Sequence, residues 1–312
     1  MMTYWIYRAI ALIPLPVKYG LSTAAAFLLQ RVFRYRAAVI DTNLRNAFPE
    51  RDAAWRQDTA SRFYKQFTDV TMEILHSSQM TLDDFKRRVT VEGIDQLDRL
   101  TENRSRSVIV LTIHLGNWEW MMHAANAHGD IPIDPVYRRL HNDGADRFAY
   151  EVRSRFGGEP ILMEKVARNV LKHRRRFRAL VLVAYQSPGE RDNVYWTQWL
   201  NQPTAFFTGP ATIAQLTDFP VMFARCSRTS RGRYHLSLLP IVETPGQLTE
   251  EAIIEAYVRA AEETIRDEPE SFLWSNRRWK HRPPDHQPLT ATSLGAVDSS
   301  RSNQSKPLSC VA

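Results

Sequence analysis

Apolar residues recur at helical spacing through most of the first part of the chain. They follow this spacing through residues 51–76, where we predict a long helix. An earlier amphipathic run over 41–47 ends at Phe48, because a residue that precedes a proline is disfavoured in the helical conformation. We therefore predict that residues 1–85 form an amino-terminal helical region.

After residue 85 the pattern changes to short aliphatic or β-branched runs that alternate with amphipathic stretches. Such alternation is typical of an α/β fold, a mainly parallel central sheet flanked by helices. The predicted strands are 89–91, 107–113, 133–137, 180–184, 221–224 and 234–239. The predicted helices are 95–102, 118–128, 143–155, 165–176, 210–217 and 249–266, the last of them capped by Thr249. We predict one α/β domain over residues 86–282.

The last segment of the chain differs in composition. After Pro283 it is rich in Ser, Thr, Pro, Gln and Asn, which supply too little apolar surface to fold. We predict that residues 283–312 form a disordered tail.

Composition and charge narrow the class of protein. Hydrophobic residues make up 44% of the 312 residues, which is ordinary for a globular chain and excludes a fully disordered one. Lys and Arg number 41 against 34 Asp and Glu, a net charge of +7, which favours acidic partners. The two cysteines, Cys226 and Cys310, form neither a metal-binding spacing nor a disulfide framework, so a reducing compartment is expected.

The first 40 residues combine apolar runs with basic residues and contain no acid. A membrane-spanning helix needs about 20 nearly continuous apolar residues, whereas Arg8, Pro14, Pro16 and Lys18 interrupt this segment. The same interruptions make it a poor signal peptide. An apolar helix with basic flanks is typical of a segment that lies on an anionic membrane surface. The alternative is an amphipathic helix packed on its own domain.

One predicted strand ends in a candidate catalytic group. The strand over 107–113 runs into His114, passes Gly116 and enters a helix, and sites in open α/β sheets form at the carboxyl ends of strands. Glu119 follows five positions later. On one continuous helix the two side chains would diverge by about 140°, so they meet only if the glycine turn folds His114 back. The carboxylate could then hold the imidazole and raise its basicity. A purely structural histidine is the alternative.

The motif His114-x-x-x-x-Glu119, in the context Thr-Ile-His-Leu-Gly-Asn-Trp-Glu, resembles the lysophospholipid acyltransferase superfamily. More closely, it resembles the bacterial lipid A biosynthesis (late) acyltransferase family. The resemblance covers roughly residues 30–282. Further blocks resemble the family in the same order: 43–50, 135–138, 186–188, 206–210, 220–221 and 274–280.

The resemblance implies a fold like that of glycerol-3-phosphate acyltransferases and a reaction. Such an enzyme moves a fatty acyl group from an acyl carrier protein or CoA thioester to a hydroxyl of a membrane lipid. It implies no cofactor and no metal. It also implies a place at the cytoplasmic face of the bacterial inner membrane, peripheral or monotopic.

The resemblance also assigns roles to residues. His114 would be the general base and Glu119 would orient it. Arg138 is our candidate donor to the oxyanion, with a surface salt bridge as the alternative. Gly209 would shape the acyl or acceptor pocket. The remaining expected substrate-binding residues are Asn117, Tyr185, Gln186, Arg277 and Arg278. Arg277 and Arg278, together with Lys280, would bind phosphate, with a solvated basic face as the alternative.

The chain departs from the usual family blocks at two positions. Tyr185 stands where the family usually has Asp, and Asn276 stands where it usually has His. A neutral phenol would make the pocket less negative, so we expect an acceptor other than the usual lipid A precursor. Two other functions stay open: a thioesterase-like hydrolase, and a catalytically degenerate protein that binds lipid or carrier. No Gly-x-Ser-x-Gly motif supports a serine mechanism.

A basic run over residues 172–178 raises the question of nucleic acid. Binding of that kind needs basic residues interleaved with stacking aromatics or a known module. Only Phe177 qualifies here, so nucleic acid is not an expected partner. The alternatives are a solvated helix end and a docking surface for an acidic carrier protein or anionic lipid.

Overall fold

The computed structural model describes residues 2–189 and 192–283, so the predicted tail lies almost wholly outside the described residues. The strands are β1 (Val89–Glu92), β2 (Val108–Thr112), β3 (Ile133–Tyr137), β4 (Ile161–Leu162), β5 (Ala179–Val183), β6 (Val194–Trp199), β7 (Gln202–Phe207), β8 (Val221–Ser230) and β9 (Arg233–Val242). The α-helices are α1 (Met2–Leu12), α2 (Leu15–Phe27), α3 (Ala37–Ala47), α4 (Ala53–His76), α5 (Leu82–Arg88), α6 (Ile94–Leu100), α7 (Trp118–Gly129), α8 (Asp143–Arg153), α9 (Val166–Lys172), α10 (Gly209–Thr217) and α11 (Glu250–Asp267). A π-helical turn, Leu28–Val32, extends α2.

A mainly parallel sheet forms the centre of the molecule. Its strand order is β1-β9-β8-β2-β5-β3-β4. Neighbouring strands run parallel except for the antiparallel pair β8 and β9. Helices pack on both faces, so the predicted α/β fold with a flanked parallel sheet is confirmed.

Strand β2 lies inside the sheet and is buried along its whole length. Successive side chains of a strand point to opposite faces. Ile109 and Leu111 accordingly join the core that includes Tyr257 of α11, while Val110 joins the core that includes Trp120 of α7. The continuous apolar run is therefore explained by burial on both faces, and it places the end of β2 near the middle of the molecule.

The hairpin formed by β6 and β7 is an element that the sequence analysis missed. It pairs antiparallel outside the main sheet, from Val194 opposite Phe207 to Trp199 opposite Gln202. Its tip, Leu200 and Asn201, has positive φ at both residues (51° and 59°), the conformation of a tight two-residue hairpin turn. An asparagine between two aromatic-rich runs was the available signal.

The amino-terminal helices are packed on the body rather than detached from it. The Tyr19 hydroxyl donates to Glu73 of α4 at 2.8 Å. Lys18, which we expected to belong to a basic flank, is fully buried, and its Nζ donates to the Ala11 carbonyl at 3.0 Å. Its charge is therefore unavailable to a membrane surface.

The outer side of these helices is apolar and exposed. Its large exposed side chains are Met2, Trp5, Ile6, Leu12, Val17, Leu21, Phe27, Leu28, Val32 and Phe33. Among the described residues, no single helix has the length and hydropathy of a membrane span. Met2–Leu12 and Leu15–Val32 have them only when taken together, and the chain bends by 117° between them.

Candidate active site

His114 lies two residues beyond β2, in a turn that only glycine can complete. Gly116 has a φ of +57°, and a Cβ there would lie 2.3 Å from the Cys226 carbonyl oxygen. This close backbone contact requires glycine, and it redirects the chain so that α7 starts directly beside the end of the strand. His114 therefore lies at the carboxyl end of β2, as we expected.

A cavity of about 740 Å³ opens at this end of the sheet. Among the described residues, its wall is built from the carboxyl ends of β2, β3 and β5, from the loop 138–141, and from the first turns of α7, α9 and α10. The wall is mostly apolar and includes Trp118, Met121, Met122, Val136, Val166, Val181, Val183, Phe207 and Ile213. Such a volume and lining suit an extended aliphatic chain.

His114 is half-buried in the wall of this cavity. Its Nδ1 atom lies 3.1 Å from the Tyr185 hydroxyl, and its ring meets the Trp118 ring edge-on at 4.8 Å between centroids. Burial lowers the pKa of His114 to about 4, although the nearby charge of Glu119 opposes this shift. The imidazole is therefore neutral at pH 7 with a lone pair available, but burial makes it a weaker base than an exposed histidine, in contrast to the raised basicity that we expected.

Glu119 contacts a different partner from the one we expected. Its carboxylate accepts two hydrogen bonds from Arg153 Nε, at 3.0 and 3.2 Å, and another from Arg153 Nη2. No hydrogen bond joins Glu119 to His114 in the described part of the chain. Burial alone would raise the pKa of Glu119, but the Arg153 guanidinium brings it below its ordinary value. Glu119 thus influences His114 through its charge and not by holding the ring.

Tyr185 lies behind His114 and not in the cavity wall that the described residues form. It is fully buried, with its ring against Phe272 and Trp199. Burial raises the pKa of its phenol well above the ordinary value, and the Asn276 side chain, which donates a hydrogen bond to the hydroxyl, opposes that shift. The expected contact between Tyr185 and a substrate is thus replaced by contacts with His114 and Asn276. Because the phenol does not face the cavity, it gives no reason to expect an acceptor other than the usual lipid A precursor.

The other expected substrate-binding residues divide into two groups. Arg138, Gln186 and Gly209 line the cavity. Asn117 does not, because it caps α7: its Oδ1 accepts from the Trp120 amide at 3.0 Å while its Nδ2 donates to Glu73 at 2.9 Å. Its role is to fix the start of the helix beside His114.

The two carboxyl-terminal arginines also lie outside this wall. Arg278 is 3% exposed, donates to the Ala205 carbonyl and packs over Phe206. Burial lowers its pKa to about 10. Arg277 is exposed. Only the exposed arginine of the pair is therefore accessible to a phosphate, and the buried one joins the carboxyl-terminal block to the β6–β7 hairpin.

Arg138 keeps a position that suits its predicted role. It lies at the end of β3 on the cavity wall, half-exposed, with its guanidinium over the Phe207 ring. Among the described residues, the acid within ion-pair distance of it is Asp192, whose Oδ2 is 3.9 Å from Arg138 Nη2. At that distance the charge of Arg138 is only weakly paired and remains free to act on a bound group.

Arg153 is the functional candidate that sequence reasoning missed. It stands at the end of α8, 34 positions from Glu119, and lines the same cavity. An arginine at the end of an amphipathic helix is ordinary in a sequence. Only the packing of α8 against the start of α7 reveals its partner.

Part of the basic run is structural. Arg178 is buried and its Nη1 lies 2.8 Å from Asp134 Oδ2, and Arg176 pairs with the same carboxylate. Lys172, Arg174 and Arg175 remain exposed. One part of the run is therefore held in ion pairs with Asp134, and the other part forms an accessible cationic surface. Across the described residues, no three His, Cys, Asp or Glu side chains are grouped as a metal ion would require.

Comparison with known proteins identifies a family. The family model described as bacterial lipid A biosynthesis acyltransferase matches residues 2–281. The chain is 23% identical over 275 residues to a lipid A biosynthesis lauroyltransferase of Escherichia coli, covering 87% of this chain and 88% of that protein. It is 22% identical over 274 residues both to a lipid A biosynthesis palmitoleoyltransferase of Escherichia coli and to a lipid A biosynthesis acyltransferase of Shigella flexneri, covering 87% of each chain.

Proposed function

This chain belongs to the bacterial lipid A biosynthesis acyltransferase family and is an acyltransferase, and we propose that it transfers a fatty acyl group from a carrier thioester to a hydroxyl of a lipid A-type membrane lipid. The observation that carries this proposal is the position of His114 at the carboxyl end of β2, in the wall of an apolar cavity.

The chemistry assigned to His114 is proton removal from the acceptor hydroxyl. The hydroxyl oxygen attacks the thioester carbonyl carbon while its proton passes to the imidazole. The C–S bond then breaks, and the imidazolium returns the proton to the thiolate that leaves. A positioned base of this kind contributes about 10²–10⁴-fold. The Glu119 carboxylate stabilises the transient imidazolium through its charge, because that charge favours the protonated ring.

The remaining cavity residues complete the proposed site. Negative charge develops on the thioester oxygen, and the Arg138 guanidinium supplies the opposite charge. The apolar wall takes the acyl chain. Gln186 and Gly209 lie on the same wall and contact the bound substrates.

The position of the cavity supports an acceptor drawn from a membrane. Asn142 directly follows the cavity loop 138–141 and contacts α1, since its Nδ2 donates to the Thr3 hydroxyl at 3.2 Å. The Tyr4 hydroxyl donates to Glu151 of α8 at 2.6 Å. The start of α1, which carries the exposed Met2 and Trp5, is thus adjacent to this loop. Peripheral association with the cytoplasmic face of the inner membrane would bring a lipid hydroxyl to His114.

The exposed basic surface beside the cavity suits an acyl carrier protein as the donor. Carrier proteins are acidic, and the exposed part of the basic run offers Lys172, Arg174 and Arg175 next to α9, which itself lines the cavity. Charge complementarity of this kind speeds encounter and is weakened by salt. The donor preference is tested by measuring turnover with matched carrier and CoA thioesters at low and high salt.

The decisive experiment supplies purified protein with an acyl thioester and a lipid A precursor and identifies the products by mass spectrometry. Acylated lipid supports the proposal, whereas free fatty acid alone indicates a thioesterase. His114→Ala should remove transfer by a factor of about 10²–10⁴ with the fold unchanged by circular dichroism. Normal turnover by that variant would exclude His114 as the base. Thioester binding without turnover by the parent protein would indicate a degenerate homologue.

A further inference from the structure

We propose that Tyr185 is a positioning residue for His114: its hydroxyl accepts a hydrogen bond from Nδ1–H and thereby leaves Nε2 unprotonated for the acceptor. The inference rests on the proposed function, in which His114 is the base. It assigns to a phenol, fixed by Asn276, the orienting task expected of Glu119.

The geometry places the phenol where an orienting group must be. Its oxygen lies 3.1 Å from His114 Nδ1, within hydrogen-bonding distance, and the two rings meet at 75°. Tyr185 is fully buried, whereas His114 lines the cavity. The nitrogen bound to the phenol is therefore engaged on the protein side, and the other ring nitrogen is left for a substrate.

The tautomer is assigned from the role proposed for His114. A neutral imidazole carries one N–H, and the nitrogen that lacks the proton is the base. The base must face the acceptor with an unprotonated Nε2, so the ring proton is on Nδ1. The phenol oxygen can accept two hydrogen bonds: it takes one from the Asn276 amide and one from Nδ1–H, while its own O–H turns away from the imidazole. With Nδ1 protonated, Nε2 has a free lone pair.

The phenol itself is held rigidly. Its ring packs against Phe272 at 5.1 Å and Trp199 at 6.1 Å between centroids. Burial keeps it neutral at all working pH values. Tyr185 therefore cannot take up the proton, and its effect is confined to orientation.

The charged groups that face the pair determine what a pH profile can report. Glu119 and Arg153 act on His114, while Arg278 and the neutral Asn276 face Tyr185. All of them stay unchanged in Tyr185→Phe, which removes only the hydroxyl and keeps the ring packing. Tyr64→Phe is the matched control, because Tyr64 is also a buried tyrosine, but its hydroxyl donates to the Tyr35 carbonyl at 2.6 Å.

The direct test is nitrogen NMR of the full chain labelled at its histidines, with the His114 signals assigned by difference from His114→Gln. We expect the pattern of a neutral ring protonated at Nδ1. In Tyr185→Phe this pattern should move towards protonation at Nε2, while Tyr64→Phe leaves it unchanged. A parent ring protonated at Nε2, or a tautomer unaffected by Tyr185→Phe, would overturn the proposal.

Kinetics provide a second test that separates the two proposals. Tyr185→Phe should lower kcat about tenfold with KM unchanged, and the acid limb of its kcat profile should move to lower pH, because the imidazolium loses an acceptor. Tyr64→Phe should keep the parent kcat. An inactive His114→Ala beside a fully active Tyr185→Phe would leave His114 as the base and reject the positioning role. An active His114→Ala would reject the proposed function itself.

Discussion

The Asn276 side chain donates a hydrogen bond to the Tyr185 hydroxyl, and these residues occupy the two positions at which the sequence departs from the usual family blocks. The departures are therefore one local change and not two. In this chain a phenol faces an amide in the space behind His114.

We expect the two positions to be energetically coupled. Tyr185→Asp removes a packed ring and should lower the free energy of unfolding by about 2–4 kcal/mol. Asn276→His alone leaves the added imidazole without a carboxylate. The double variant should be more stable than the sum of the single effects by about 1 kcal/mol or more. Urea denaturation of the four proteins in the double-mutant cycle measures this coupling, and additive effects would show that the positions are independent.

A second prediction concerns the ion pair between Glu119 and Arg153. Glu119→Gln leaves a mostly buried guanidinium without its partner, so the free energy of unfolding should fall by about 2–4 kcal/mol. Adding Arg153→Met removes the unpaired charge and should recover most of that loss. The value of kcat should stay low in the double variant, because the imidazolium still lacks an opposite charge. Full activity in the double variant would mean that Glu119 serves only to hold Arg153.

Much of the fold could be predicted because each local pattern agrees with the packing. The strand over 133–137 has the predicted bounds, and Thr249 caps α11 as expected, its hydroxyl accepting from the Ala252 amide. The apolar run before His114 is buried on both faces. Such patterns depend on neighbours in sequence, so the sequence contains the information needed to predict them.

The contacts of the site were harder to predict because they join distant segments. Arg153 reaches Glu119, and Asn276 reaches Tyr185, across 34 and 91 positions of the chain. Nothing in the local sequence distinguishes these residues from solvated polar ones. Lys18 shows the same limit, since its burial is decided by the packing of α2 on α4. Composition alone suggested a surface charge there.

A third prediction follows from the buried histidine His123, whose Nε2 has no hydrogen-bond partner among the described residues. Burial lowers its pKa to about 4. As the pH falls below 6.5, His123 becomes protonated in the unfolded chain but stays neutral in the folded chain. The free energy of unfolding therefore falls between about pH 6.5 and 4. This residue alone accounts for about 3 kcal/mol at the lower limit.

Replacing the imidazole should remove its share of the pH dependence. His123→Leu should unfold with a free energy that declines less between pH 7 and pH 5 than that of the parent protein, as measured by urea titration at each pH. The comparison at pH 8, where His123 is neutral in both the folded and the unfolded chain, controls for changes in packing. An identical decline in the two proteins would indicate that the pKa of His123 is the same in the folded chain as in the unfolded chain.

The last prediction concerns the exposed apolar side of the amino-terminal helices. Trp5 and Phe33 are 63% and 69% exposed, and inserting such side chains into the lipid interface is worth about 1.5–3 kcal/mol each. Removing the whole segment would be a poor test. Tyr19 and Lys18 form hydrogen bonds with α4, and loss of the segment would expose the core. Replacing Trp5, Phe27 and Phe33 by Ser leaves those ties intact and should weaken sedimentation with anionic phospholipid vesicles by well over tenfold. Leu248→Ser, an exposed change outside these helices, should leave vesicle binding unaltered. If the triple variant sediments like the parent protein, another surface carries the membrane contact, and the route proposed for the lipid acceptor past α1 must be abandoned.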